Sequence, residues 1–261
     1  MNILDRIIAH KREELIVRKT LVSEQELEQS VYFGRTCLSL KENLLNEKTT
    51  GIIAEFKRKS PSKGYINQYA DVVSITEAYT KFGASGLSVL TDYEFFGGST
   101  EDLVAARVNQ LPILRKDFII DPYQIMAAKA MGADVILLIA ACLSPVEVKE
   151  LAAFAKELKM EVILELHDEI ELGHICDAVD MVGVNNRNLK TFDLDINRSL
   201  KLAEGIPDDK VKIAESGISN IEMIHLFKQA GFKGFLMGEN FMKASNPGAA
   251  FKDFAAQLNK Y

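Results

Sequence analysis

Glu55 and Lys57 stand two residues apart at the end of the apolar run Ile52-Ile53-Ala54. Successive strand side chains point to opposite faces, so both share a face with Ile53. A carboxylate and an ammonium on the inward face of a core strand are costly unless paired or used. The pattern recurs along the chain. Lys116 shares a face with Leu114, Glu165 with Ile163, Glu215 with Ile213, and Asn185 with Arg187 after Val182-Gly183-Val184. One polar strand end is ordinary solvation. Five strands that bring Glu55, Glu165 and Glu215 together with Lys57, Lys116 and Arg187 favour an active site, and such groups are suited to proton transfer.

Two glycine turns, Ser216-Gly217 and Gly238-Glu239, follow the seventh and eighth apolar runs. Glycine permits close backbone approach, and turns at these strands of a barrel commonly hold phosphate on backbone N–H groups. The loop after Lys57 carries Ser60, Pro61, Ser62, Lys63 and Gly64, rich in donors and turn formers. Phe96, Phe118, Leu137, Ile139 and Leu189 are either ordinary core or the wall for an aromatic substrate.

Short apolar runs at 52–57, 86–91, 111–116, 134–139, 161–166, 180–184, 211–215 and 233–237 must position these groups. Amphipathic stretches alternate with them: Val72–Phe82, Glu101–Val108, Pro122–Met131, Pro145–Leu158, Asp168–Ile175, Ile196–Ala203, Asn220–Ala230 and Pro247–Leu258. Eight strand–helix units predict an α/β fold of the closed (β/α)₈ TIM-barrel type. An open doubly wound sheet calls for a Gly-x-Gly-x-x-Gly turn after the first strand, and there is none.

Residues 1–48 read as an N-terminal helical extension packing on a barrel domain of residues 49–261. Ile3, Leu4, Ile7, Ile8, Leu15 and Ile16 form an approximate stripe. Ser23-x-x-Glu26 and Ser39-x-x-Glu42 are capping-box patterns. Asp5, Glu13 and Glu14 speak against a targeting peptide.

The chain has 261 residues and a net charge of −6, which argues against nucleic-acid or membrane-surface partners. Cys37, Cys142 and Cys176 are scattered, so they read as reduced thiols of a cytoplasmic protein. His10, His167, His174 and His225 form no metal-ligand spacing, so neither metal nor cofactor is expected. No apolar run is long enough to span a bilayer.

Ile52–Gly64, Phe95–Ser99, Leu114–Phe118, Glu165–Glu169, Gly183–Arg187 and Ala214–Ile218 resemble indole-3-glycerol phosphate synthase, in family order and across essentially the whole chain. That resemblance implies a carboxy-lyase of tryptophan biosynthesis that works without a cofactor. It closes, decarboxylates and dehydrates 1-(o-carboxyphenylamino)-1-deoxyribulose 5-phosphate to indole-3-glycerol phosphate. Lys116 is implied as the general acid of ring closure and Glu165 as the general base of dehydration. Glu55 is implied to hold and polarise Lys116 and the reacting groups, with Lys57 as a second acid and phosphate contact. Asn185 and Glu215 are implied to orient substrate hydroxyls or the lysine. Arg187 and Ser60 are implied to take the anthranilate carboxylate, and Ser216, Gly217, Gly238 and Glu239 to surround the phosphate.

Two departures stand out. Glu239 is acidic where some members carry a small residue, so its side chain should point away from the phosphate. The chain has no tryptophan, so any family contact made by an indole from the extension must be replaced. The rival enzyme is another phosphate-binding barrel such as phosphoribosylanthranilate isomerase, expected to rely on a Cys or Asp. A non-catalytic barrel should lack Lys116 or Glu165, and both are present. A monomer or weak oligomer is expected.

Overall fold

A computed structural model describes residues 3–187 and 194–258 of the chain. Each apolar run becomes a strand: β1 Ile52–Phe56, β2 Gly86–Leu90, β3 Ile113–Lys116, β4 Val135–Ile139, β5 Glu161–Leu166, β6 Met181–Asn185, β7 Val211–Glu215 and β8 Phe232–Met237. All pair in parallel with their sequence neighbours, and β1 pairs with β8, so the sheet closes into a barrel. A two-residue antiparallel pair, Lys59–Ser60 with Gly64–Tyr65, shapes the loop after β1.

The alternation of strand side chains sorts the core into two layers. Ile53, Leu114, Leu137, Ile163, Ile213 and Leu236 fill the barrel interior. Ile52, Ala54, Leu87, Ile136, Leu164 and Ala214 face outward into the larger core beneath the helices. Those helices are α4 Val72–Lys81, α5 Thr100–Ala106, α6 Pro122–Ala130, α7 Pro145–Glu157, α8 Ile196–Glu204, α9 Ile221–Gln229 and α10 Pro247–Leu258. The expected helix at Asp168–Ile175 is instead a 3₁₀ segment, Glu169–His174. Its brevity suits the tighter winding, because Glu171 turns back to accept the backbone N–H groups of His167 and Asp168.

Three helices precede β1: α1 Ile3–Leu21, α2 Glu24–Glu28 and α3 Leu40–Leu45. Ser23 closes its full capping box with Glu26. Ser39 caps α3 by accepting the N–H of Glu42, but its hydroxyl turns to Glu161 at the start of β5, leaving the box half made. Glu161 also accepts the N–H groups of Leu40 and Lys41, which fixes α3 beneath the barrel. Leu40 and Leu44 then plug the interior from below. The plug sits close: a Cβ on Gly86 would lie 2.5 Å from Leu40 Cδ1.

At the opposite end α1 buries Ile7, Lys11 and Leu15, while Ile16, expected in the stripe, is exposed. A lysine therefore completes the buried face, for an electrostatic reason. Lys11 Nζ reaches Asp92 Oδ2 and Asp117 Oδ1 at 3.0 Å each, and Glu14 Oε2 at 2.7 Å. Asp117 also takes Arg115 and the Thr91 hydroxyl, and these neighbours outweigh burial to hold its carboxyl well below the usual range. Removing one partner from such a network leaves buried charge uncompensated, at a cost of about 3–5 kcal/mol. Lys11→Met is therefore expected to lower stability by about that much, read by denaturant unfolding. A loss within experimental error would show that the network does not anchor α1.

Candidate active site

A cavity of about 410 Å³ opens at the C-terminal mouth of the barrel. It is lined by Glu55 and Lys57 of the first unit, Lys116 of β3, Glu165 of β5, Asn185 of β6 and Glu215 of β7. Lys116 Nζ lies 2.7 Å from Glu165 Oε2 and 2.8 Å from Glu215 Oε2. Glu165 Oε1 accepts a hydrogen bond from Asn185 Nδ2 at 3.0 Å. Lys57 Nζ is 2.6 Å from Glu55 Oε1.

The charge of Glu55 acts on Lys116 at a distance, while its own direct ion-pair partner is Lys57, just past the end of β1. The close partners of Lys116 are Glu165 and Glu215.

The electrostatics divide the carboxylates. Burial alone would strip the proton from Lys116, but Glu165, Glu215 and Glu55 outweigh it and raise the ammonium above its ordinary range. Burial also opposes ionisation of Glu165, yet Lys116 and His167 hold it well below the usual carboxylate range. At Glu215 burial and the charge of Glu165 prevail over Lys116, and the carboxyl is pushed up to about 7. Two carboxylates on one lysine thus differ, one firmly ionised and one near neutrality, as acid–base sites require.

Glycine makes this packing possible. A Cβ on Gly183 would lie 2.1 Å from Glu215 Oε1, so only glycine at this point of β6 lets the carboxylate lie flat across the neighbouring strand. Glu215 Oε1 and Ser60 Oγ, buried polar atoms of residues lining the mouth, have no hydrogen-bond partner among the described residues. Buried polar groups are nearly always satisfied, so both are free to meet a ligand.

The other expected contacts also reach the cavity. Phe96 and Phe118 face one another with ring centroids 6.0 Å apart, and Leu137 and Ile139 extend the apolar wall below. Leu189, assigned to the same wall, lies outside the described residues. Ser216, Gly217, Gly238 and Glu239 form the opposite rim. Ser216 and Gly217 both adopt left-handed backbone, φ 66° and 70°, which turns the chain sharply after β7. Asn186 Nδ2 donates to the Ser216 carbonyl at 2.7 Å and pins that turn. The Glu239 carboxylate lies 3.9 Å from Arg187 Nη2. Glu239 is among the residues lining the cavity, and its carboxylate pairs with that guanidinium.

Several site residues escaped the sequence reading. Ile3, Leu4 and Ile7 of α1 line the mouth, although only their stripe, not its destination, was visible. His167 lies beside Glu165, and its place two residues further along, just past the end of the strand, could have signalled it. Lys243 and Asn240 come from the short helix after β8 and its end, which had no apolar pattern of their own. Among the described residues no group of His, Cys, Asp and Glu is arranged to hold a metal ion.

Eight parallel strands with a cavity of charged side chains at their C-terminal ends define a protein of the (β/α)₈-barrel class. The sequence pattern of indole-3-glycerol phosphate synthase matches residues 4–254. The chain belongs to the indole-3-glycerol phosphate synthase family, the carboxy-lyases of tryptophan biosynthesis. It is 48% identical over 254 residues to indole-3-glycerol phosphate synthase of Bacteroides thetaiotaomicron, covering 97% of each chain. The Bordetella pertussis enzyme is 42% identical over 252 residues, covering 95% of this chain and 96% of that one. Solved structures share the fold at low identity. A tryptophan synthase α-subunit from Pyrococcus furiosus superposes with a TM-score of 0.61 at 14% identity, covering 82% of this chain and 99% of that one. A 3-hexulose-6-phosphate synthase gives 0.62 at 13%, covering 78% and 98%.

Proposed function

We propose that this mouth performs the family's ring closure, decarboxylation and dehydration, with Lys116 as acid and Glu165 as base. The observation that carries this reading is Lys116 Nζ held 2.7 Å from Glu165 and 2.8 Å from Glu215 inside the cavity. As the aromatic carbon attacks the ketone, the carbonyl oxygen must gain a proton, and Lys116 supplies it. Loss of carbon dioxide restores the aromatic ring. The new hydroxyl takes a proton from Lys57, the second acid, and departs as water while a substrate proton passes to Glu165, which completes the indole. Lys57 remains a second acid and phosphate contact, restrained by Glu55. Asn185 orients Glu165, and Glu215, near neutrality, either accepts from Lys116 or donates to a substrate hydroxyl.

Phe96, Phe118, Leu137 and Ile139 receive the aromatic ring, while Arg187 and the unpartnered Ser60 hydroxyl take its carboxylate. Arginine suits that group because its planar fork can donate two parallel hydrogen bonds. The phosphate rests against the Ser216-Gly217 and Gly238-Glu239 turns. Residues 1–48 serve as an extension to the barrel domain of 49–261 and close the mouth through α1. The three scattered cysteines fit reduced thiols in a cytoplasmic enzyme. A monomer or weak oligomer without nucleic-acid partners fits the net charge of −6.

The test is fluorescence detection of the indole product from the carboxyphenylamino substrate, in the presence of a chelator. Product formation unaffected by chelation supports the cofactor-free acid–base reading. No product, or activity restored only by a divalent ion, overturns it.

The turns separate binding from chemistry. Gly217→Val forces a β-branched residue into left-handed backbone and toward Leu194, whose Cδ2 lies 2.6 Å from the built Cβ position. Its expected effect is a KM raised about tenfold or more with a smaller change in kcat, because phosphate contact is lost in ground and transition state alike. Gly238→Ala has a different consequence. Its Cβ would lie 2.8 Å from Glu55 Cβ and Oε1, so it displaces Glu55 and lowers kcat as well. Unchanged KM in both variants would place the phosphate elsewhere.

A further inference from the structure

His167 is the buried titratable group nearest the proposed base that the mechanism leaves unused. It follows Glu165 by two residues, just past the end of β5, and it does not line the cavity. Its Nε2 lies 3.1 Å from Glu165 Oε1, on the side of the carboxylate away from Lys116. Its Nδ1 lies 3.8 Å from Glu171 Oε2, and the backbone N–H of His167 donates to that same oxygen at 2.6 Å. The imidazole is thus set between two carboxylates, one facing the substrate and one facing the outer loop.

We propose that His167 is a positioning residue that keeps Glu165 aimed and ionised during dehydration, after Lys116 has turned from Glu165 to the substrate. The proposal rests on Glu165 as the base. In the resting site Glu165 accepts hydrogen bonds from Lys116 and Asn185, and the His167 ring, whose nitrogens have no hydrogen-bond partner among the described residues, lies in ion-pair range of its other side. Ring closure engages Lys116 with the substrate oxygen, which removes its strongest partner. A fully buried carboxylate beside Glu215, without a cation, would be driven to take up a proton before the dehydration step needs it to be free. The imidazolium is the positive charge left in contact, and it reaches Glu165 from behind without occupying the substrate's place.

The groups around the imidazole agree with this role. Burial opposes its charge, but Glu165 and Glu171 outweigh burial, and His167 is raised to about 9. Lys116 and Glu215 approach only the far side of Glu165. Cys142, in the loop after β4, is pushed up to about 12 by burial and by the charges of Glu165 and Glu171, so its thiol stays neutral. His174, at the end of the 3₁₀ segment, makes contacts through its ring nitrogens to the carbonyls of Glu171 and Leu143 and leaves the Glu171 carboxylate to His167.

The experiment measures the pH dependence of kcat for the wild type, His167→Asn and His167→Gln, with circular dichroism as the check on folding. Without the cation Glu165 protonates at higher pH, so the acidic limb of kcat should move up by about one unit or more. Each unit is a tenfold loss at low pH. Activity of the variants should recover as pH rises, and single-turnover ring closure should be slowed less than dehydration. A kcat reduced equally at every pH, with both steps slowed alike, would mean a merely structural histidine and overturn the proposal. Imidazole NMR of the wild type provides a reading that needs no variant at position 167, since the chain has four histidines and the other three can be replaced for assignment. Titration of His167 near 9 supports the proposal; titration near the ordinary value of about 6.5 overturns it. A failure of Glu165 itself as base appears separately, as equal slowing of carbon dioxide and indole release in Glu165→Gln.

Discussion

Lys116→Met is expected to slow formation of the first ring-closed species by about 10²- to 10⁴-fold, with no intermediate accumulating. The variant removes the proposed proton donor, but the structure gives a second reason for a large effect. Lys116 separates Glu165 from Glu215, each within 2.8 Å of its Nζ. With the ammonium gone, two buried carboxyl groups face one another and cannot both stay ionised. Glu215, already at about 7, takes up a proton, and Glu165 rises with it. The variant therefore loses its acid and weakens the ionised state of its base. Lys57 is a poor substitute, because Glu55 holds it at 2.6 Å. Single-turnover trapping, following carbon dioxide and indole product separately, is the measurement. Ring closure at the wild-type rate in Lys116→Met would remove Lys116 from the role of acid.

Glu165→Gln is expected to produce the opposite kinetic picture. The amide is nearly isosteric and can still accept from Lys116, so ring closure and decarboxylation should proceed. Water cannot then leave with a proton passed to the base, and an intermediate awaiting dehydration should accumulate. The final step should slow by about 10²- to 10⁴-fold, while carbon dioxide appears ahead of indole product. The amide also makes Lys116 a freer acid, because one of the charges holding its proton has been removed. Ring closure could thus be preserved or slightly hastened even as the overall rate collapses. Carbon dioxide and indole released at equally reduced rates, with nothing trapped, would show that the two steps do not divide between these residues.

The sequence by itself determined the barrel and most of its mouth. Period-two alternation placed Ile53, Glu55 and Lys57 on one face, and Leu114 with Lys116, Ile163 with Glu165 and Ile213 with Glu215 on others. In the structure those apolar members fill the interior and the polar members ring the cavity above them. Alternation is a local property of the chain, so it was legible without knowing the neighbours. The 3₁₀ winding of Glu169–His174 was not, since it depends on how few residues separate the strands it joins.

Pairing is not local, and only the tertiary structure decided it. The chain alone did not show which carboxylates touch Lys116. Barrel closure brings Glu165 of β5 and Glu215 of β7 into contact with it, while Glu55 pairs with Lys57 and acts on Lys116 through its charge. The glycine at 183 reads from sequence as an ordinary strand residue. Its reason appears only when the Glu215 carboxylate of the adjacent strand lies where a side chain would be. The stripe on α1 announced a buried face but not that this face caps the mouth, nor that Lys11 belongs to it. A buried lysine makes physical sense only beside Asp92 and Asp117, which lie more than 80 residues further along the chain and meet it through the fold. Sequence patterns fix which way a side chain faces; which charges it faces depends on strand order and closure, and so do the ionisation states on which the chemistry rests.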